Sequence, residues 1–346
     1  MKCIMLAVGS CFALLASAAA GEPVAIRIES FLVAPSHLPS AVVLVRNLRS
    51  DLYHGTVRIA GPIGWRFEPE AQTVEVGGGA IERLSFLVKR ASGGESNAYP
   101  LTATAVGAGR TVKKSQNVMT ASAPYFKPEI DGQIDDWQDA IPVAWTTKGK
   151  RTVIRTFWNR RQFTFLIEVE EDQLLPPDAA FAKPRDAIQI ALSPEDAETG
   201  ESAVDVAVRY EFLMMASGDS SEGVCFQLAE PGRLLSEGQR ERDLTRLQYE
   251  DAQVAVRREG SVTYYECSLP FRPMRDQIRP SEGREFCLSV LIHDPDGTGL
   301  RDWGTGAGLW PCERSRLAWS VWHGATWGDA PPFDNKIPWG LCSSKY

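Results

Sequence analysis

The chain has 346 residues, with 37 Lys and Arg against 44 Asp and Glu and a formal net charge of −7. This mildly acidic balance argues against nucleic acid or another polyanion as partner, which would call for a basic face. The length exceeds what one hydrophobic core usually serves, so more than one domain is expected. The first element in chain order is a leader. MKCIMLAVGSCFALLASAAA (1–20) sets Lys2 before an apolar run over 4–16 and ends on Ala18, Ala19 and Ala20. That is the pattern of a secretory signal peptide cleaved near Ala20. The run is too short for a membrane span, and no later stretch is long and apolar enough to make one. The mature protein is therefore expected to be secreted, periplasmic or at the cell surface.

Residues 21–122 read as a first all-β domain. VAIRIESFLV, AVVLVRN, GTVRIAG, QTVEVG, AIERLSFLVKR, YPLTATAVG and RTVKKSQNVM are short runs, most with period-two alternation. Gly61-Pro62, Gly77-Gly78-Gly79 and Gly93-Gly94 punctuate them. About seven short strands in roughly a hundred residues suit an immunoglobulin-like sandwich. Within it, GPIGWRFEP (61–69) resembles the P-x-G-W turn of extracellular immunoglobulin-like modules found beside carbohydrate-active domains, in which Trp65 would plug one end of the core.

ASAPYFKP (121–128), with Pro124 and Pro128, is expected to be a stiff joint. Residues 123–346 form the second domain, where nine of the ten tryptophans lie. TVIRTFW, QFTFLIEVEE, DAIQIAL, AVDVAVRYEFLMM, GVCFQL, AQVAVRR, SVTYYECSLP, REFCLSVLIHD and LAWSVW are longer alternating strands, which predict a larger sandwich of two facing sheets. A short helix is expected around 239–249. Five cysteines follow the leader, an odd number in an exported chain, so at least one is free or pairs between chains. Cys267 and Cys287, on consecutive strands, could form one disulfide and Cys312 with Cys342 another, leaving Cys225 free.

The second domain opens on PEIDGQIDDWQDA (128–140). Gly132 allows a tight reversal after Ile130, and Trp137 is large enough to seal a sandwich edge. IDGQIDDW resembles the opening of family 9 carbohydrate-binding modules. TFWNRRQFTFLIEVEED, RDAIQIALSP, YYECSLPF, LSVLIHDPDGTGLRDWG and LAWSVW are similar, in that order, to the family's later elements. The resemblance implies a non-catalytic, extracytoplasmic module that binds a polysaccharide or oligosaccharide, with a separate glycoside hydrolase as a possible partner. It also implies structural calcium, for which Asp131, Asp135, Asp294 and Asp296 are the candidates. The same aspartates have a second reading, as caps on turn amides.

A pyranose is bound by an aromatic ring on its C–H face and by polar groups on its hydroxyls, each ring supplying only about a kcal/mol. The Trp-rich tail 310–339 and the loop LLPPDAAFAKPRD hold the rings that the family would use as a clamp. Trp322, Trp327 and Phe181 are the stacking candidates, and Arg185 and Gln189 the hydroxyl contacts. In the loop the family often carries Trp where this chain has Phe181. Three other readings compete. One is a structural or adhesion module that binds no sugar. Another is a b-type haem electron carrier, for which Met214, Met215, His293 and His323 are possible ligands. The third is a glycoside hydrolase, which needs two carboxylates about 5–10 Å apart. Glu168, Glu170, Glu171 and Asp172 lie along one strand end with no evident partner, and no G-x-S-x-G elbow exists. No catalytic residue is expected.

Overall fold

The computed structural model describes residues 22–94, 96–177, 185–194, 210–218, 222–231, 233–234, 244–278, 281–282, 284, 286–303, 337–339 and 341–343. Over these the protein is all-β, and its sheets are antiparallel but for one short parallel pair.

In the N-terminal part the strands are β1 (Val24–Ile28), β2 (Ser40–Asn47), β3 (Tyr53–Ala60), β4 (Arg66–Glu68), β5 (Gln72–Val76), β6 (Ile81–Arg90), β7 (Ala98–Gly107) and β8 (Arg110–Met119). They form two four-stranded sheets, β1-β2-β6-β4 and β5-β3-β7-β8. Alternation drives the packing. Val43 and Val45 from one sheet meet Val57, Leu101, Ala103 and Ala105 from the other in a single core. Trp65 is half-buried against the core beside Phe31, Phe67 and Tyr99, with ring centroids 5.5–6.1 Å apart.

A short strand, β9 (Ser122–Pro124), leads on to β10 (Val143–Thr147), β11 (Lys150–Trp158), β12 (Gln162–Glu170), β13 (Ala187–Pro194), β14 (Tyr210–Ala216), β15 (Gly223–Glu230) and β16 (Arg233–Leu234). Then come β17 (Gln253–Glu259), β18 (Val262–Pro270), β19 (Phe286–Asp294), β20 (Gly299–Trp303), β21 (Ile337–Trp339) and β22 (Leu341–Ser343). A five-stranded sheet, β10-β11-β12-β18-β17, faces a seven-stranded one, β16-β15-β14-β13-β19-β20 with β21 also on β19. Phe163, Phe165, Ile167 and Val169 of the first pack on Ile188, Ile190, Phe212 and Ile292 of the second. The strand β22 returns to pair in parallel with β9.

The joint is held by Asn97. Its side-chain amide donates to the carbonyls of Thr120 and Pro142, and its oxygen accepts from Thr120 N. The opening segment 128–140 lies over the outer face of the five-stranded sheet. Trp137 is fully buried there, stacked on Phe157 at 5.2 Å with Leu166 and Ala140 beside it. Gly132 takes φ +81°, the left-handed turn that its type suggests.

Two expectations are corrected. The helix around 239–249 is, in its described part, only a 3-10 turn over Leu244–Leu247. Cys225 and Cys267 are both buried free thiols, so the Cys267–Cys287 bridge is not made. The strands β18 and β19, though consecutive in sequence, belong to opposite sheets. Cys267 on β18 faces the core between them, and Cys287 is on β19 in the other sheet. Burial holds the Cys225 thiol well above its usual pKa. The Cys312–Cys342 pair falls on Cys312, outside the described residues.

Candidate functional site

The inward registers of three strands each run on into an acid. On β12 the sequence Phe163, Phe165, Ile167, Val169 continues to Glu171. On β13 the series Leu192, Ile190, Ile188 continues backwards to Asp186, and on β19 Leu288, Val290, Ile292 continues to Asp294. All three carboxylates are therefore buried at one end of the sandwich core. One oxygen from each lies within 4.8 Å of the others.

Each carboxylate is oriented by the protein through one oxygen. Glu171 Oε1 accepts from Arg258 at 3.2 Å and from the Thr263 hydroxyl. Asp186 Oδ2 accepts from the backbone N of Leu175. Asp294 Oδ2 accepts from Thr298 N at 2.9 Å, the Thr298 hydroxyl at 2.7 Å and Arg301. The second oxygen of each, Glu171 Oε2, Asp186 Oδ1 and Asp294 Oδ1, has no hydrogen-bond partner. Burial pushes the Glu171 carboxyl up to about 7, and burial with the neighbouring charge of Glu171 pushes Asp186 up to about 8. Burial also raises Asp294, but its hydrogen bonds to Thr298 and Arg301 outweigh this and hold it below the usual range. Hard carboxylate oxygens at this spacing suit an oxygen-seeking divalent cation.

The outer face of the seven-stranded sheet carries a second polar group. Alternation turns Gln189 of β13, Glu211 of β14 and His293 of β19 away from the core. His293 Nε2 donates to Gln189 Oε1 at 2.9 Å, and Gln189 Nε2 donates to Glu211 Oε1. Burial, and then the charge of Arg185, lower the His293 pKa to about 4, so the imidazole is neutral at neutral pH and its Nδ1 is an acceptor. Leu213, Met215 and Leu291 complete a face that is part apolar, part hydrogen-bonding, and closed to solvent.

The residues expected from the sequence divide accordingly. Asp294 joins the buried trio, but Asp296 is exposed and accepts from Gln173 at 2.6 Å. Asp131 and Asp135 are exposed and lie outside that trio; Asp131 Oδ1 caps Gln133 N at 2.8 Å. The neighbouring Asp136 accepts from Glu129 N at 2.8 Å. Arg185, just before β13, and Gln189, on it, are both buried. Met214 faces the core, whereas Met215 and His293 share the outer face. Phe181, Trp322, Trp327 and His323 lie outside the described residues. Sequence reading missed Glu171 and Asp186 as possible ligands, and Glu211 and His293 as partners of Gln189. The signal for the first pair was present, since each ends a run of inward-facing apolar residues where another apolar residue would be expected.

These features define a class: an all-β protein of two sandwich cores, the larger with an acidic end and a polar outer face. No family model matches the chain, and no curated protein matches it by sequence. Among solved structures it is similar to a family 9 carbohydrate-binding module from Caldicellulosiruptor kristjanssonii in complex with glucose. Identity is 14%, the TM-score is 0.37, and 54% of this chain and 86% of that one are covered. A structure of such a module from the same organism with cellotriose matches at 14% identity and TM-score 0.35, covering 53% and 80%. Invasin, a bacterial integrin-binding protein, matches at 8% identity and TM-score 0.21, covering 81% of this chain and 59% of its own. No helix among the described residues is long and apolar enough to cross a membrane.

Proposed function

We propose that this protein is exported and binds saccharide without catalysis, through the candidate rings Phe181, Trp322 and Trp327. One observation carries the reading. The two segments that hold the candidate rings are both anchored on neighbours of β19. Phe181 precedes Arg185 and β13, while Trp322 and Trp327 lie between the end of β20 at Trp303 and the start of β21 at Ile337. Both segments are thus tied to the sheet whose outer face holds Arg185, Gln189, Glu211 and His293. Aromatic rings that cover its C–H faces are the chemistry that a pyranose requires. Because Gln189 is fully buried and spends its amide on Glu211 and His293, its role is to position those groups. Arg185 is buried as well, so contact with sugar falls to the three aromatics.

The test is a glycan-array and affinity-gel screen of the mature protein, with glucose and cellotriose among the probes. Trp322→Ala, Trp327→Ala and Phe181→Ala variants run beside it. Binding that these variants lose, with melting temperature unchanged, supports the reading. Absence of binding by folded protein across plant, algal and bacterial glycans would favour a structural or adhesion module instead.

A further inference from the structure

The end of the larger sandwich opposite the acidic trio carries a cationic surface that the candidate rings do not use. The strand β12 separates the two ends. Its last residue, Glu170, leads to the segment with Phe181, and its first, Gln162, stands about 27 Å away, at about 3.4 Å per residue. Three backbone hydrogen bonds assemble the surface. Phe126 N donates to Trp158 O at 3.0 Å and seats the linker beside the end of β11. Asn159 N donates to Gln162 O at 3.0 Å and closes the β11–β12 turn, while Phe271 N donates to Arg161 O at 2.8 Å and draws the segment after β18 against it. Asn159 Oδ1 also accepts from Arg161 N at 2.9 Å and Gln162 N at 3.2 Å, which fixes the turn. Lys127, Arg160, Arg161 and Arg272 are thereby gathered at one end of the sheet. All four are exposed, and among the described residues none of them has an ion pair. Residues 125–127, 159–162 and 270–273 contain these four cations and no acid, in a chain whose net charge is −7. Two half-exposed rings lie with them. Tyr125 packs on Trp158 and Phe126 on Phe157, each with ring centroids 5.0 Å apart.

We propose that this end binds a carboxylated polysaccharide, its cations pairing with sugar carboxylates and Tyr125 and Phe126 covering sugar C–H faces. A guanidinium matches a carboxylate with two parallel N–H bonds, and three of the four cations are arginines. The linker, β11, β12 and β18 lie side by side here. Three spacings of about 4.8 Å give a frontage of about 15 Å, longer than one sugar ring and suited to a stretch of chain. Other anionic partners fit less well. A bilayer takes up rings that project into it, whereas these two lie against Trp158 and Phe157. Duplex nucleic acid carries one charge per about 1.7 Å, and the negative remainder of the chain repels so dense a polyanion. A uronate chain carries only one charge per sugar. The overall acidity that argues against a polyanion spread over the whole molecule leaves room for one held at a locally cationic end. None of Phe181, Trp322 and Trp327 takes part, so this surface does not depend on their role.

The experiment titrates the mature protein with polygalacturonate in low salt, beside cellotriose and dextran sulfate. The wild type should bind polygalacturonate, and raising salt from about 0.05 to about 0.5 M should weaken binding steeply. The double variant Arg160→Glu, Arg161→Glu should weaken it by at least about tenfold, since two exposed pairs are lost and two repulsions gained. Lys113→Glu with Lys114→Glu, exposed on β8 of the first sandwich, makes the same change in net charge and should alter binding by less than about twofold. All four substituted side chains are exposed, so melting temperatures should stay within a few degrees of the wild type's. No binding of polygalacturonate by the wild type would overturn the site. Equal loss in the two double variants would overturn its location, leaving net charge as the cause, and so would full binding by the arginine variant. Dextran sulfate bound as tightly as polygalacturonate would overturn the choice of carboxylate. Cellotriose keeps the two sites apart: a wild type that binds polygalacturonate and not cellotriose counts against the candidate rings and leaves this surface standing.

Discussion

Glu266 offers the sharpest test of how the opening segment is held. Its carboxylate accepts from the Trp137 indole N–H at 2.7 Å, from Gly132 N at 2.8 Å and from Asp131 N at 3.0 Å. Glu266→Ala leaves the indole and Gly132 donors buried without partners, at about 1–3 kcal/mol each. The Asp131 amide is nearer the surface and can turn to water. Against this, burial raises the Glu266 pKa in spite of its three donors, so the folded state carries a desolvation cost that the alanine removes. The expected net loss is about 2–4 kcal/mol. Glu266→Gln should lose less, about 1–2 kcal/mol, because one oxygen can still serve the two amides while its NH2 group opposes the indole N–H. Urea denaturation followed by tryptophan fluorescence measures both. A Glu266→Ala loss below about 0.5 kcal/mol would refute the reasoning, since it would mean the segment is held by Trp137 stacking alone. The pH dependence has a definite sign. A carboxyl with a raised folded-state pKa stabilises the fold most below the ordinary value of 4.5, and that contribution is lost as pH rises through the folded value. The stability difference between wild type and Glu266→Gln should therefore shrink between pH 4 and pH 7.

Other predictions concern the core. A Cβ at Gly223 would stand 2.3 Å from Val254 Cγ1, where β15 meets β17 of the opposite sheet. Gly223→Ala should cost about 1–3 kcal/mol in urea denaturation. Val254→Ala in the same chain should restore part of that loss, and a full loss in the double variant would count against a steric cause. Cys225 and Cys267 are buried free thiols with pKa values raised by burial. Iodoacetamide followed by peptide mass mapping should modify both only after unfolding in guanidinium; labelling of either in the native protein at pH 8 would contradict their burial.

Much of the architecture is legible in the chain itself, because alternation is a local property. Phe163, Phe165, Ile167 and Val169 declare a strand and its inward face wherever that strand is placed. The strands that reading missed, β4, β9, β10, β16, β21 and β22, are short, and their pattern is faint. The same locality explains the error over 244–249, where a few favourable residues suggest a helix but no sustained apolar stripe supports one. The acids of the opening segment could be read two ways from sequence. The structure shows Asp131 and Asp136 as caps on nearby amides, a short-range role that sequence spacing can express.

Long-range pairing is what the sequence could not fix. That Asp186 and Asp294 stand side by side follows from β13 running antiparallel to β19 with Ala187 opposite His293. Glu171 reaches them only because the facing sheet ends at the same level. The same register sets Gln189 between Glu211 and His293, residues 22 and 104 positions away. Sheet order puts Cys267 and Cys287, which adjacency along the chain had suggested as partners, in opposite sheets. Which residues face inward is set by the two-residue period of each strand; which inward residues meet is set by strand register and sheet order, and those are properties of the assembled core.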